Sequence, residues 1–137
     1  MNTELNKELI RRYFSEIWNK GNLYKEREFV AQDVLVHAPP FPIAGGIAGP
    51  LQIVSIFRTA LPDLYLRNDI LFAEGDRVVQ HFVVTGTHSG ADLFGVPASG
   101  RTLTISGINI FRIANGRVVE RWGTINAAGL MQQLRAA

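Results

Sequence analysis

The fold is decided by residues 101–124, RTLTISGINIFRIANGRVVERWGT, which predict two strands around one turn. Apolar residues recur at every second position on both sides of the turn, a spacing typical of β-strands. Asn115-Gly116 is a strong hairpin signal, so we expect strands over about 101–113 and 117–124. Both faces of these strands are apolar in their middles, which indicates that both faces are covered.

A second hairpin precedes this one. The turn signal Glu74-Gly75-Asp76 predicts strands over about 65–73 and 77–88, and a longer loop over 89–100 joins the two hairpins. Four consecutive strands joined in this way predict an antiparallel sheet.

The start of the chain shows helical spacing instead. A first helix is expected after a cap at Asn2 or Thr3, and Gly21 supplies the residue that ends it. A shorter second helix should follow Asn22 and run toward Val30. The apolar face of the first helix consists of Leu5, Leu9, Tyr13, Phe14, Ile17 and Trp18.

The segment before the strands contains breaks and one more helix. A short extended piece over 34–37 should end at the prolines that follow it, because a residue before proline avoids the helical conformation. Residues 39–49 carry prolines and glycines at the density of a loop, and Pro50 can open a third helix.

Helices followed by consecutive hairpins predict one α+β domain over residues 1–137, with N-terminal helices packed on a curved antiparallel sheet. We expect the face toward the helices to enclose one apolar pocket for a small hydrophobic molecule. The other face is expected to meet a second copy of the chain in a homodimer. Alternatively, the C-terminal segment 127–134 folds back over that face.

Composition excludes several classes of partner. The net charge is +2 and the arginines are scattered, so we expect no nucleic-acid partner. The chain has no cysteine, its three histidines lack metal-ligand spacing, and it has no glycine-rich phosphate motif, so we expect no metal and no cofactor. The N-terminus lacks a signal-peptide pattern and no segment reaches the ~18 apolar residues of a membrane span, which predicts a cytoplasmic protein without a membrane partner.

Six short strings occur in a characteristic order along the chain: AEGDRVV (73–79), TGTHSG (85–90), GVPASGR (95–101), INIFR (108–112), GRVVERW (116–122) and GLMQQL (129–134). Together they resemble the SnoaL-like polyketide cyclase or "ester cyclase" family. The resemblance implies the cone-shaped fold shared with nuclear transport factor and ketosteroid isomerase. It also implies chemistry without a cofactor, in which a carboxylate in the pocket removes a proton alpha to a carbonyl and the enolate closes a ring.

The sequence departs from the family at the reacting positions. By the same resemblance, the cyclase aspartate falls on Gly123 and the histidine of the preceding strand falls on Asn109. The base of ketosteroid isomerase falls on Ala38, whereas its hydrogen-bond-donating aspartate falls on Asn109 again. Neither base is kept, but an asparagine amide could still donate.

Asn109 and Arg121 are the predicted oxygen-binding residues. Asn109 could donate to a substrate carbonyl, or bond structurally to a neighbouring strand. Arg121 could hold a carboxylate or an enolate oxygen, or pair with Glu120 or another surface acid. A three-residue turn would place Asn109 opposite Arg121 and a two-residue turn would place it opposite Trp122; we favour the former. In that register the residues that share one face are Gly107, Asn109, Phe111, Val119, Arg121 and Gly123.

A substitute base is expected among the histidines. Asp69 can lie opposite His81, and a carboxylate that orients an imidazole makes a general base near neutral pH. His37, at the end of its short strand, is a second candidate. Cross-strand contacts for His81 and a loop cap for His37 are the structural alternatives.

Other residues are candidates for substrate contact. Tyr13, on the helical face above the pocket, could supply a second donor or be an ordinary core tyrosine. Phe111 and Gly123 share the inward face with Asn109. Trp122 could contact substrate, although a core or interface position is the alternative.

Two classes of function follow. The first is an enzyme without a cofactor that cyclises, isomerises or hydrates a small hydrophobic carbonyl compound. The second is a non-catalytic binding or dimerisation module of the same fold, and a hydroxylase-like branch of the family is a third alternative. Convergence of Asn109, Arg121 and His81 on one enclosed space favours the enzyme, whereas separation favours the binding module.

Overall fold

The computed structural model describes residues 2–38 and 44–136. Helix α1 spans Thr3–Tyr13 and continues as a wider π-helical turn over Phe14–Asn19. A 3-10 turn, Leu23–Lys25, leads into the short helix α2, Glu26–Phe29. Helix α3 spans Ala48–Ala60, and helix α4 spans Ala127–Arg135.

Within residues 2–38 and 44–136, five strands form one sheet. Their bounds are Val30–His37 (β1), Tyr65–Glu74 (β2), Arg77–Thr87 (β3), Thr102–Ala114 (β4) and Arg117–Ile125 (β5). The order across the sheet is β1-β5-β4-β3-β2. The α+β prediction, with helices on a curved sheet, is confirmed.

The sheet differs from the prediction in one pairing. β1 runs parallel to β5, whereas the other pairs are antiparallel, so the sheet is mixed. The predicted extended piece at 34–37 is the end of this strand, which begins at Val30. The predicted loop 39–49 falls partly outside the described residues, and from residue 44 it leads into α3.

The wide turn at the end of α1 carries core residues and is tied to β2 by Asn19. Phe14, Ile17 and Trp18 are buried in the core from this turn. The Asn19 amide donates to the Leu66 carbonyl at 2.9 Å and accepts from the Leu66 N–H at 2.7 Å. The chain then turns at Gly21, whose φ of +74° is the left-handed conformation that glycine adopts without strain. The predicted helix stop is confirmed.

The core lies on the face of the sheet toward the helices, which we call the inner face. Alternate residues of β3 and β4 point into it, and aromatic rings from α1, α2 and α3 cover them. Phe14 joins the helical layer to the sheet, because its ring lies 5.9 Å from Phe111 on β4 and 6.0 Å from Trp18 in the π-helical turn. Burial of such rings is the main source of stability in a domain of this size.

The opposite, outer face keeps apolar side chains exposed. Ile70, Phe72 and Ile108 each expose about half of their surface there. Helix α4 does not cover them: its Leu130 and Leu134 join the buried core, and Gln133 bonds the backbone N–H and carbonyl of Thr104. The alternative in which the C-terminal segment covers the outer face is therefore wrong. None of the helices in the described residues is long and apolar enough to cross a membrane.

The β4–β5 hairpin has neither of the two registers that we considered. Ala114 pairs with Arg117 around a two-residue turn, but an irregularity between Arg112 and Ile113 shifts the register, so that Asn109 pairs with Gly123. The shift leaves Asn109, Phe111, Arg121 and Gly123 on one face, as predicted. Val119 is the exception, since Val118 takes the buried position instead.

Candidate functional site

An apolar pocket lies between the helices and the inner face of the sheet. The space not filled by atoms is about 500 Å³, with the open mouth included. The part in which the centre of a water molecule fits is only about 30 Å³. One water needs roughly 10–15 Å³ by this measure, so the pocket is narrow and a larger ligand requires its walls to move. This inner pocket is lined by Phe14, Trp18, Ala38, Ile53, Phe57, Leu66, Phe82, Val84, Ile105, Asn109, Arg121, Gly123, Thr124 and Ile125.

A chain of side-chain hydrogen bonds crosses the sheet beside the inner pocket. Arg121 Nη2 donates to Asn109 Oδ1 at 3.1 Å, and Asn109 Nδ2 donates to Gln80 Oε1 at 2.9 Å. Gln80 Nε2 in turn donates to Asn68 Oδ1 at 2.6 Å. An amide nitrogen has two hydrogens, so the Asn109 amide keeps one N–H for a ligand beyond the bond to Gln80.

Arg121 is a buried cation on the wall of the inner pocket. Its side chain is 6% exposed, and its guanidinium lies 5.5 Å from the centre of the Phe111 ring. Among the described residues, Nε has no hydrogen-bond partner and no ion pair is formed with a carboxylate. Burial lowers the pKa of Arg121, while Tyr13 and Glu26 act in the opposite direction.

Glu26 is a buried carboxylic acid close enough to influence Arg121. It lies on α2 with 1% of its surface exposed, and Tyr13 Oη donates to its Oε2 at 3.1 Å. Burial raises the pKa of Glu26 from 4.5 to about 7, against the opposing effects of the Tyr13 hydrogen bond and the Arg121 charge. Glu26 is therefore poised to gain or lose a proton near neutral pH.

Gly123 is packed against the Asn109 side chain. A Cβ added at Gly123 would lie 2.4 Å from Asn109 Oδ1 and 3.4 Å from Arg121 Nη2. Any larger residue here would displace the amide that accepts the Arg121 hydrogen bond. The absence of a side chain at 123 and the position of Asn109 therefore depend on each other.

Tyr13 and Phe111 lie behind the wall of the inner pocket. Tyr13 is 1% exposed and bonds Glu26, and Phe111 is 1% exposed beneath Arg121. Neither is among the described residues that line the pocket. Their contact with a substrate stays a prediction; the structure gives them the role of supporting Glu26 and Arg121.

His81 and Asp69 form the predicted pair, but on the outer face. His81 Nδ1 lies 3.0 Å from Asp69 Oδ2. Asp69 occupies an irregularity in β2, so His81 pairs across the strands with Ile70 instead. Gln80 and Phe82, the neighbours of His81, point to the core, and His81 therefore points away from the inner pocket. The predicted pair therefore lies on the opposite face of the sheet from the inner pocket, where it was expected to act.

His37 and Trp122 also meet on the outer face. Their rings stack at 5.5 Å, His37 Nε2 lies 2.9 Å from Glu120 Oε2, and Arg112 Nε donates to Glu120 Oε1 at 3.1 Å. The hydrogen bond from His37 is the first cause of the lowered pKa of Glu120. Neither His37 nor Trp122 is among the described residues that line the inner pocket. Trp122 packs against His37 instead.

The comparisons with known proteins agree with this architecture. The profile of the SnoaL-like polyketide cyclase family matches residues 8–134, nearly the whole chain. The chain belongs to the SnoaL-like polyketide cyclase family. No curated protein is similar enough in sequence to count as a relative.

Several solved structures resemble this SnoaL-like chain over most of its length. A candidate polyketide cyclase from Acidithiobacillus ferrooxidans is 31% identical, with a TM-score of 0.86 over 97% of this chain and 96% of its own. TsrD from Streptomyces laurentii is 26% identical, with a TM-score of 0.87 over 100% and 99%. AclR, a candidate hydroxylase from Streptomyces galilaeus, is 26% identical, with a TM-score of 0.84 over 97% and 82%.

Sequence reasoning missed part of the polar site in this SnoaL-like chain. Glu26 was not a candidate, because a charged residue in a short helix is usually exposed. Its spacing of three from Phe29, which predicts a shared helical face, was the available signal. Gln80 and Asn68 alternate with outward residues on their strands, so the two-residue periodicity of a strand could have predicted that they point inward. Within the described residues, no group of three His, Asp or Glu side chains could hold a metal ion.

Proposed function

We propose that this chain binds a small hydrophobic carbonyl compound in the inner pocket and promotes a polyketide-type cyclisation, isomerisation or hydration without a cofactor. The observation that carries the proposal is the pair Asn109 and Arg121, which places two hydrogen-bond donors on the wall of a cavity whose other described lining residues are apolar apart from Thr124. Family membership supports the same class of chemistry.

The donors suit a developing negative charge on oxygen. The free N–H of Asn109 and the guanidinium of Arg121 would stabilise an enolate oxygen in surroundings that exclude water, where such contacts are strongest. The narrow apolar walls would hold the reacting carbons in one orientation, which by itself can lower a barrier by several kcal/mol. Neither effect needs a carboxylate in the pocket. The α-proton that leaves as the enolate forms would pass to water at the open mouth of the pocket, and water would return a proton to the product.

His81, Asp69 and His37 are left out of this proposal. Their side chains lie on the outer face, so the sheet itself separates them from the inner pocket. Of the three residues whose convergence favours an enzyme, Asn109 and Arg121 converge, whereas the separation of His81 favours the binding module.

A non-catalytic binding module is the second candidate. It is favoured by Gly123 and by the character of the wall, since the described lining residues include no carboxylate and no imidazole. Both candidates need ligand binding at Asn109 and Arg121, and they differ only in turnover.

The experiment therefore measures binding and turnover on the same samples. An enolisable aromatic β-keto ester is titrated into wild type, Asn109→Ala and His81→Ala, and its conversion is followed by chromatography. The proposal expects Asn109→Ala to weaken binding and slow conversion at least tenfold, about the loss of one hydrogen bond to a charged oxygen, while His81→Ala changes neither more than twofold. Binding without conversion supports the second candidate, and a requirement for oxygen or a flavin partner would point to the hydroxylase-like branch.

We also propose a homodimer through the outer face, in a cytoplasmic protein. Ile70, Phe72 and Ile108 form an exposed apolar row in the middle of that face. The flanking groups include both signs of charge, with Arg67 and Asp69 at one side and Arg112 and Glu120 at the other. A face of this kind is suited to a second copy of itself.

A further inference from the structure

The buried guanidinium of Arg121 lacks a full counter-charge. Its hydrogen bond goes to the neutral Asn109 amide, and its Nε has no partner in the described part of the chain. A buried cation is costly unless an anion or several acceptors compensate it. Because Arg121 lines the inner pocket, the missing anion could come from a ligand.

Glu26 acts on Arg121 through its charge, but in the described part of the chain the two form no ion pair. Glu26 Oε2 accepts from Tyr13, and Glu26 Oε1 has no partner among the described residues. Tyr13 from α1 and Arg121 from β5 are the titratable groups that act on Glu26. Tyr13 keeps its proton, because burial raises its pKa well above the ordinary value, and a guanidinium stays charged in proteins.

We propose that the inner pocket takes an apolar molecule bearing a carboxylate, which Arg121 binds, and that Glu26 takes up a proton as this anion enters. The inference rests on the proposed function and narrows its substrate class: among small hydrophobic carbonyl compounds, those that carry a carboxylate bind more tightly than neutral esters. The apolar walls bind the body of the molecule, and the planar guanidinium binds its carboxylate.

Proton uptake follows because Glu26 and the ligand carboxylate both act on one cation, Arg121. An ionised Glu26 already lends negative charge to Arg121, so a second carboxylate near the same cation is repelled by the first. Protonation of Glu26 removes the competitor and leaves the full charge of Arg121 to the ligand. Affinity should therefore fall as the pH rises through neutrality, although the ligand itself is ionised throughout.

The first test compares benzoate with methyl benzoate, which differ only in the charge of one group. Both are titrated into wild type, Arg121→Gln and Arg67→Gln at pH 6. We expect wild type to bind benzoate at least about tenfold more tightly than the ester, a typical effect of a charge-assisted pair. Arg121→Gln should abolish this preference. Arg67→Gln, an exposed arginine on the outer face, should retain it.

The second test follows the proton. Benzoate affinity of wild type should weaken by about tenfold between pH 6 and pH 8, and calorimetry in buffers of different ionisation enthalpy should record uptake of roughly half a proton at pH 7. Glu26→Gln keeps an acceptor for Tyr13 but cannot ionise, so its affinity should be independent of pH. Should this variant fail to fold, calorimetry of the wild type still shows whether a proton is taken up when benzoate binds.

The outcomes separate this inference from the proposed function. If methyl benzoate binds as tightly as benzoate, or if Arg121→Gln keeps the preference, the carboxylate site is overturned while the pocket stands. If binding is independent of pH in wild type, the role of Glu26 is overturned. If neither compound binds, the pocket does not hold small apolar molecules and the proposed function fails with it.

Discussion

A Cβ built on Gly123 would lie 2.4 Å from Oδ1 of Asn109, well inside contact distance. The two positions face each other across β4 and β5 as a direct pair. Asn109 occupies the space that a side chain at 123 would need, and through this oxygen it accepts the hydrogen bond from Arg121. Asn109 and Gly123 therefore fill this corner of the inner pocket without a carboxylate.

Gly123→Ala should therefore destabilise the protein by about 1–3 kcal/mol, the usual cost of forcing extra atoms into a packed site. In an Asn109→Ala background the same change should cost much less, because the colliding oxygen is gone. Urea denaturation of the four proteins in this cycle measures the coupling. Equal costs in both backgrounds would show that the two side chains do not compete for space.

Arg121→Met should raise the pKa of Glu26 above its value of about 7 in wild type. Methionine has a similar length without the charge that now favours the ionised carboxyl group. Carbon-detected NMR of the glutamate side chains across pH 5 to 9 measures the midpoint directly. An unchanged or lower midpoint would mean that Arg121 and Glu26 are not electrostatically coupled.

Stability should fall with rising pH because of Glu26. The folded state holds this proton up to about pH 7, whereas the unfolded chain releases it near 4.5. The resulting stabilisation is fully present below pH 4.5 and is lost as the pH rises through 7, a change of about 3 kcal/mol. Denaturation curves at pH 5 and pH 8 should show this loss in wild type and in Glu28→Gln, an exposed control on the same helix. The loss should be absent in Glu26→Gln, and its persistence there would assign it to another group.

Ile108→Lys should prevent dimerisation. Ile108 is 47% exposed in the middle of the outer face, and a charge there opposes burial against a second copy. Analytical ultracentrifugation should give a dimer for wild type and for Tyr24→Lys, which replaces an 80% exposed aromatic outside the sheet, and a monomer for Ile108→Lys. A wild-type monomer at tens of micromolar would contradict the proposal.

Local signals were sufficient for much of the fold. Asn115-Gly116 specifies a tight hairpin turn, and Asn115 and Gly116 indeed adopt φ values of +52° and +73°. Gly21 ends the first helical segment for the same reason. These features depend on the conformational preferences of one or two residues, which can be read without knowing the rest of the structure.

Features set by distant contacts were not predictable in the same way. The shift beside Ile113 and the irregularity at Asp69 each add a residue to one strand, and no local motif marks either place. The parallel pairing of β1 with β5 joins residues about 85 positions apart, and nothing in Val30–His37 names its partner. The burial of Glu26 depends likewise on Tyr13 and Arg121 arriving from other elements.

A ligand in the inner pocket should lie against Asn109 and Arg121. NMR of the Asn109 side-chain amide and the Arg121 Nε–H during a methyl benzoate titration detects such a ligand, because these groups report only on their own surroundings. We predict that both resonances shift in a saturable manner while the ring signals of His81 stay in place. Shifts at His81 with no change at Asn109 and Arg121 would place the ligand on the outer face and contradict the account.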